Sequence, residues 1–190
     1  DKYLGRRFPE TRMSHPISGE SLQTDWVHPS HETVLQYNRE LIGEIARAGV
    51  DEINLDYIRY PTDNLSSLSA MSTGEKIVHL EAFVRMARRA IDMAESDTKL
   101  GISTYAILGW YYDSTLKNIG QDVVRFAPFV DVISPMAYPQ TFAKGAYFNP
   151  ALHPRSREYH LVLRTLEGYI DILGEHAWKL RPWIQGYYVD

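Results

Sequence analysis

The run Val50-Asp51-Glu52-Ile53-Asn54-Leu55-Asp56-Tyr57-Ile58-Arg59-Tyr60-Pro61 places carboxylates, an amide and a guanidinium within a β-prone stretch that ends at proline. Side chains alternate along a strand, so Glu52, Asn54, Asp56 and Ile58 share one face, and Ile53, Leu55 and Tyr57 the other. The apolar set suits a face covered by helices. The polar set then points inward, with Asp56 near the carboxyl end. A carboxylate held there is costly unless it is paired or used, because burial disfavours its charge. Two readings follow: a base, nucleophile or stabilising carboxylate, or a structural Asp held by Arg59 and neighbouring hydroxyls. Arg59 itself has three open roles: binding a substrate carboxylate, pairing with Asp56, or pairing with Asp63.

Other strand ends carry groups of a complementary kind. Val132, Ser134, Met136 and Tyr138 share a face, as do Trp183, Gln185 and Tyr187. Sugars present apolar ring faces bordered by hydroxyls, so aromatic platforms mixed with amides and carboxylates suit them. Tyr138, Trp183, Gln185, Tyr187, Asn54 and Trp110 are therefore candidate sugar contacts, whereas Met136 reads as core filling. Cleaving a glycosidic bond normally takes two carboxylates. Asp113 is the first candidate for the second, because Trp110, Tyr111 and Tyr112 surround it and an apolar setting raises proton affinity, and an acid supplied by segments outside this chain is the equal alternative. Asp63, Asp25 and Glu20 read as solvated loop charges. The seven histidines form no HExxH pair, and no metal or cofactor is expected.

Alternating strands and helices must position these groups. Residues 1–30 read as a long loop rich in Pro and Gly. Ser30 is a candidate cap for a helix carrying Val34, Leu41, Ile45 and Ala48, stopped at Gly49. Ser72 and Glu75 form a capping-box pair ahead of the stripe Ile77, Leu80, Val84, Ala87, Ile91 and Ala94. Strands are predicted at about 52–58, 100–106, 130–137 and 182–188. An aromatic loop, Gly109 to Asp113, follows the second, and helices are predicted near Gln121 to Phe126 and from Glu158 to Leu173. Fourfold alternation argues for a parallel α/β sheet. A doubly wound sheet would carry a Gly-rich first turn, which is missing. The polar residues cluster after strands, as in a (β/α)8 TIM barrel, and four units amount to a partial barrel covering about strands 4 to 7.

The chain has 190 residues, a net charge of -4, 44% hydrophobic and 23% charged residues and no cysteine, which together exclude a disordered tail, disulfides and Cys-ligated zinc. Its mild acidity argues against nucleic acid as a partner, and no apolar run is long enough to span a membrane. Thirteen Tyr and four Trp against six Phe favour half-wet binding surfaces. The chain starts without Met and stops directly after a strand candidate, so it reads as one fragmentary domain, 1–190, cut from a longer protein whose remaining strands would complete the barrel. Bare strand edges would make the segment poorly soluble alone.

Two resemblances bear on these residues. Gly49 to Tyr57 resembles the strand-four signature of family 18 chitinases, in which an Asp-rich strand ends in a catalytic Glu. Asp51 and Asp56 match its first and last Asp, but Asn54 replaces the middle Asp and Ile58 stands where the acid would be. That chemistry cannot run unaltered here. Closer is a bacterial family of glycosyl-hydrolase-type domains of unknown function. It is matched by Asp51-Glu52-Ile53, Asp56-Tyr57-Ile58-Arg59-Tyr60-Pro61, Asp131 to Pro139 and Arg181-Pro182-Trp183-Ile184-Gln185, with Asp25-Trp26 and Tyr37-Asn38 as an earlier segment. The resemblance implies a glycosidase-like barrel acting on a polysaccharide, and a secreted or cell-envelope protein. The alternatives are a catalytically inactive carbohydrate-binding barrel, which Ile58 makes credible, and a barrel enzyme of another chemistry such as a phosphate-dependent lyase or isomerase.

Overall fold

A computed structural model describes residues 2–22, 24–62 and 71–187. Four strands, β1 (Glu52–Leu55), β2 (Lys99–Tyr105), β3 (Val132–Ala137) and β4 (Trp183–Ile184), form one sheet in the order β1-β2-β3-β4, every pair parallel. The helices between them are α1 (Lys2–Arg7), α2 (Glu32–Arg47), α3 (Thr73–Met93), α4 (Tyr112–Ile119), α5 (Val123–Phe126) and α6 (Arg157–Leu173). The sheet curls into a parallel half-barrel, the partial TIM-like fold that the alternation implied.

One face of the sheet is apolar because alternate residues make it so. Leu55, Leu100, Ile102 and Ile133 point outward into a core completed by Ile42 and Ala46 of α2, Leu80, Phe83, Val84, Ala87 and Ile91 of α3, and Tyr169 and Leu173 of α6. The start of α3 is the predicted capping box: the Glu75 amide donates to Ser72 Oγ at 3.2 Å and the Ser72 amide to Glu75 Oε2 at 2.8 Å. α6 docks through two glycines. A Cβ on Gly168 would lie 1.7 Å from the carbonyl oxygen of Gly109, so no larger residue permits this approach.

Several elements differ from expectation. The cap of α2 is His31, whose Nδ1 accepts from the Thr33 amide at 3.3 Å, not Ser30. Its buried face runs through Val34, Ile42, Gly43 and Ala46, leaving Leu41 39% exposed. The opening segment holds α1, a 3-10 turn at Pro9–Thr11 and two antiparallel bridges, Arg12 with Val27 and Ser14 with Ser21. The aromatic loop is shorter than expected, because Tyr112 and Asp113 open α4, which stops at Gly120 in a left-handed conformation (φ +69°). β4 pairs only through Trp183 and Ile184. Pro182 lacks a donor, and β3 ends two residues before Pro139, which leaves little ladder to join.

Candidate functional site

The concave face of the half-barrel is layered. At the bottom, Glu52 of β1 forms an ion pair across the hollow with Arg181, just ahead of β4. Gly101 of β2 leaves the room: a Cβ there would lie 2.6 Å from Glu52 Oε1 and 3.0 Å from Asn54 Oδ1. In the middle layer, Asn54 Nδ2 donates to Ser103 Oγ at 2.8 Å and Trp183 Nε1 donates to the same oxygen at 3.2 Å, tying β1 to β4 through β2. Ser134 Oγ, buried in β3, has no hydrogen-bond partner among the described residues.

The rim lies above, at the carboxyl ends of the strands. β1 stops at Leu55, and Asp56 follows with Oδ1 accepting the Tyr57 amide at 2.8 Å. Tyr57 then adopts φ +58°, a conformation uncommon for a residue with a Cβ. This kink breaks the strand alternation and swings the Tyr57 ring out to 65% exposure, edge-on to Trp26, instead of onto the helix-covered face. Arg59 lies between two rings, its guanidinium carbon 4.8 Å from the centroids of both Trp26 and Tyr105.

Two hollows meet at this kink. A cleft of about 600 Å³ is lined by Asp56, Tyr57, Arg59, Tyr105, Tyr138 and Gln121, among others. On the other side, Trp26, Asn38, Met13 and Phe83 line a hollow of about 580 Å³ that shares Asp56, Tyr57 and Arg59. Burial, then the neighbouring Tyr187 and the Asp56 carboxylate, pushes the Tyr138 phenol above its usual range, so it stays a neutral donor.

Gln121 holds the rim together. Its buried amide accepts the Tyr105 N–H at 2.9 Å and donates to the carbonyls of Ile58 at 3.0 Å and Ser103 at 3.3 Å. Behind the rim, the Tyr60 hydroxyl bonds His79 Nδ1 at 2.8 Å, and the His79 ring meets His28 edge-on at 5.0 Å. Burial, then the neighbouring His79 and His31, pushes His28 down to about 4.

Residues 3–190 match the family described as "Putative glycosyl hydrolase domain". The chain belongs to this family. The fold is similar to the PgaB (BpsB) glycoside hydrolase domain from Bordetella bronchiseptica, with a TM-score of 0.62 at 14% identity, over 90% of this chain and 53% of that one. The chain thus spans about half the length of that structure. No curated protein matches it significantly. Family and fold make this a glycosyl-hydrolase-like domain.

Within the domain, the structure gathers Asp56, Arg59 and Tyr138 into one cleft, with Met136 in its lining. Asn54 and Trp183 lie below it on Ser103. Gln185 and Tyr187 lie beside it. Both bond Gln140, and they line a separate groove of about 1110 Å³ against α6. Trp110 is turned away, its Nε1 donating to Thr165 Oγ1 at 2.9 Å. Asp113 is exposed in the first turn of α4, outside the cleft lining. Asp25 lines the second hollow, Glu20 is exposed, and Asp63 lies outside the described residues. Arg59 forms no ion pair with Asp56. Among the described residues, no group of three or more His, Asp or Glu side chains is arranged to hold a metal ion, and no helix is long and apolar enough to cross a membrane.

Sequence reasoning missed Gln121 and Tyr105. The only local signal for Gln121 was its place directly after Gly120, where a polar side chain can turn back on the preceding strand ends. Tyr105 ends β2 on the inward face, two residues beyond Ser103, and alternation alone could have found it.

Proposed function

We propose that the chain is the Asp56-bearing part of a glycoside hydrolase acting on a polysaccharide, with Asp56 as base, nucleophile or stabilising carboxylate. The observation that carries this reading is the position of Asp56, the one carboxylate in the described lining of a strand-end cleft walled by Tyr57, Tyr105 and Tyr138. Barrel chemistry sits at strand carboxyl ends, and the cleft has the volume of a small-ligand site. The acid partner would come from outside the described residues, and the outer edges of β1 and β4, which pair with no strand among the described residues, could take the further strands of a closed barrel. A polysaccharide substrate is compatible with a secreted or envelope protein.

A second reading, an inactive carbohydrate-binding barrel, is favoured by the same lone carboxylate and by Ile58, which is half-buried against the core. The test is digestion of cell-wall and exopolysaccharide preparations by the full-length protein, following new reducing ends. Asp56→Asn keeps shape and removes charge, and it should slow cleavage on the order of 10²–10⁴-fold. Equal cleavage by the variant would make Asp56 structural. Glycan binding without cleavage by the parent would select the inactive barrel.

A further inference from the structure

Among the described residues, Arg59 forms no ion pair. No carboxylate of the described residues stands within ion-pair distance of its guanidinium, although Asp56 lies three residues away and lines the same cleft. Among the described residues one of its N–H donors is used, Nη1 to the Tyr60 carbonyl at 3.0 Å. Trp26 and Tyr105 flank it, each ring centroid 4.8 Å away, with Tyr57 at 5.6 Å, so three aromatic rings fix its position. Stacking engages the faces of a guanidinium and leaves its in-plane donors at the edges. Arg59 lines both hollows that meet at Asp56. A fixed planar fork with unused donors matches a carboxylate, which it can bind through two parallel hydrogen bonds.

We propose that the Asp56 cleft takes an acidic glycan, with Arg59 receiving the carboxylate of a uronic acid unit next to the bond that Asp56 addresses. The inference rests on the sugar-site reading above and adds the substrate class. Arg59 carries the selectivity for charge, while Tyr57, Tyr105 and Tyr138 offer surfaces that any pyranose could use. Lysine at position 59 would keep the charge but lose the planar fork and the stacking.

The test is calorimetric titration of the full-length protein with oligogalacturonate and oligomannuronate, against the same oligosaccharides reduced at the carboxyl group to neutral sugars. The uronates should bind at least about tenfold more tightly than their neutral counterparts at low salt, with the difference shrinking as salt rises. Arg59→Gln should abolish the difference without abolishing binding of the neutral series, and Arg59→Lys should retain part of it. Thermal melts of both variants check folding. If Arg59→Gln does not fold, the comparison of acidic with neutral ligands on the parent still decides. Equal or tighter binding of the neutral series by the parent would overturn the inference, as would an undiminished preference in Arg59→Gln. Neutral glycans cleaved in an Asp56-dependent way, with uronates ignored, would overturn the acidic-glycan inference and leave the hydrolase reading standing. No binding of either series would overturn the acidic-glycan inference, and cleavage of the polysaccharide preparations would still decide the hydrolase reading.

Discussion

Gln121 is the side chain on which the rim depends most, and replacing it with leucine gives a quantitative test. The substitution conserves volume approximately but removes one acceptor and two donors from a buried position. The Tyr105 N–H, at the end of β2, loses its partner. An orphaned buried group costs about 1–3 kcal/mol. The carbonyl of half-buried Ile58 can recruit water, which limits its loss to about 1 kcal/mol. The sum is about 2–4 kcal/mol, or a fall in melting temperature of roughly 4–16 °C for a chain of this size. Gln121→Glu keeps the acceptor for Tyr105 but turns a carboxylate toward two carbonyls, so it should do no better. Thermal unfolding followed by circular dichroism measures both, and glycan titration should show weaker binding in any variant that stays folded, since Ile58 and Tyr105 border Arg59. A Gln121→Leu protein melting within about 1 °C of the parent would refute the assignment of Gln121 as the staple between β1 and β2.

Two further outcomes follow from the same geometry. His28 titrates near 4 when folded and near 6.5 when unfolded, so the unfolded state takes up the proton first. Stability is then complete above about pH 6.5, declines as pH falls toward about 4, and levels off below. His28→Asn, which keeps an acceptor for the Ser30 amide, should flatten that decline in urea unfolding across the pH range, and an unchanged slope would remove His28 as its source. Gly168→Ala would place a methyl group 1.7 Å from the Gly109 carbonyl oxygen, so α6 must shift outward at a cost of about 3 kcal/mol or more. A variant with the parent's melting temperature would contradict that approach.

How far the sequence could be read depended on how local the determining physics was. The Ser72–Glu75 capping box and the α3 stripe are set by spacing within one element, and both stand as read. The parallel order of the strands followed from alternation and connection length. The α2 stripe failed by one position because Leu41 and Ile42 are equally apolar, and only packing against α3 decides which is buried. Tyr57 was read as a regular strand residue, but its left-handed conformation follows from the turn at Asp56 and not from its own preference. Trp110 and Asp113 looked like a site because aromatic neighbours in sequence resemble aromatic neighbours in space. In the fold, Trp110 is claimed by Thr165, 55 residues away, while Tyr112 and Asp113 are taken into α4. Asp56, Arg59 and Tyr138 were legible as polar groups at strand ends. The stacking of Arg59 between Trp26 and Tyr105 was not, since it joins three separate segments.

The most direct measurement is a crystal structure of the full-length Asp56→Asn protein soaked with an oligosaccharide that the parent cleaves or binds. The account predicts sugar rings in the cleft against Tyr57, Tyr105 and Tyr138, with a glycosidic or ring atom within hydrogen-bond reach of residue 56. Sugar bound only in the groove beside α6, or residue 56 facing no part of the ligand, would contradict it.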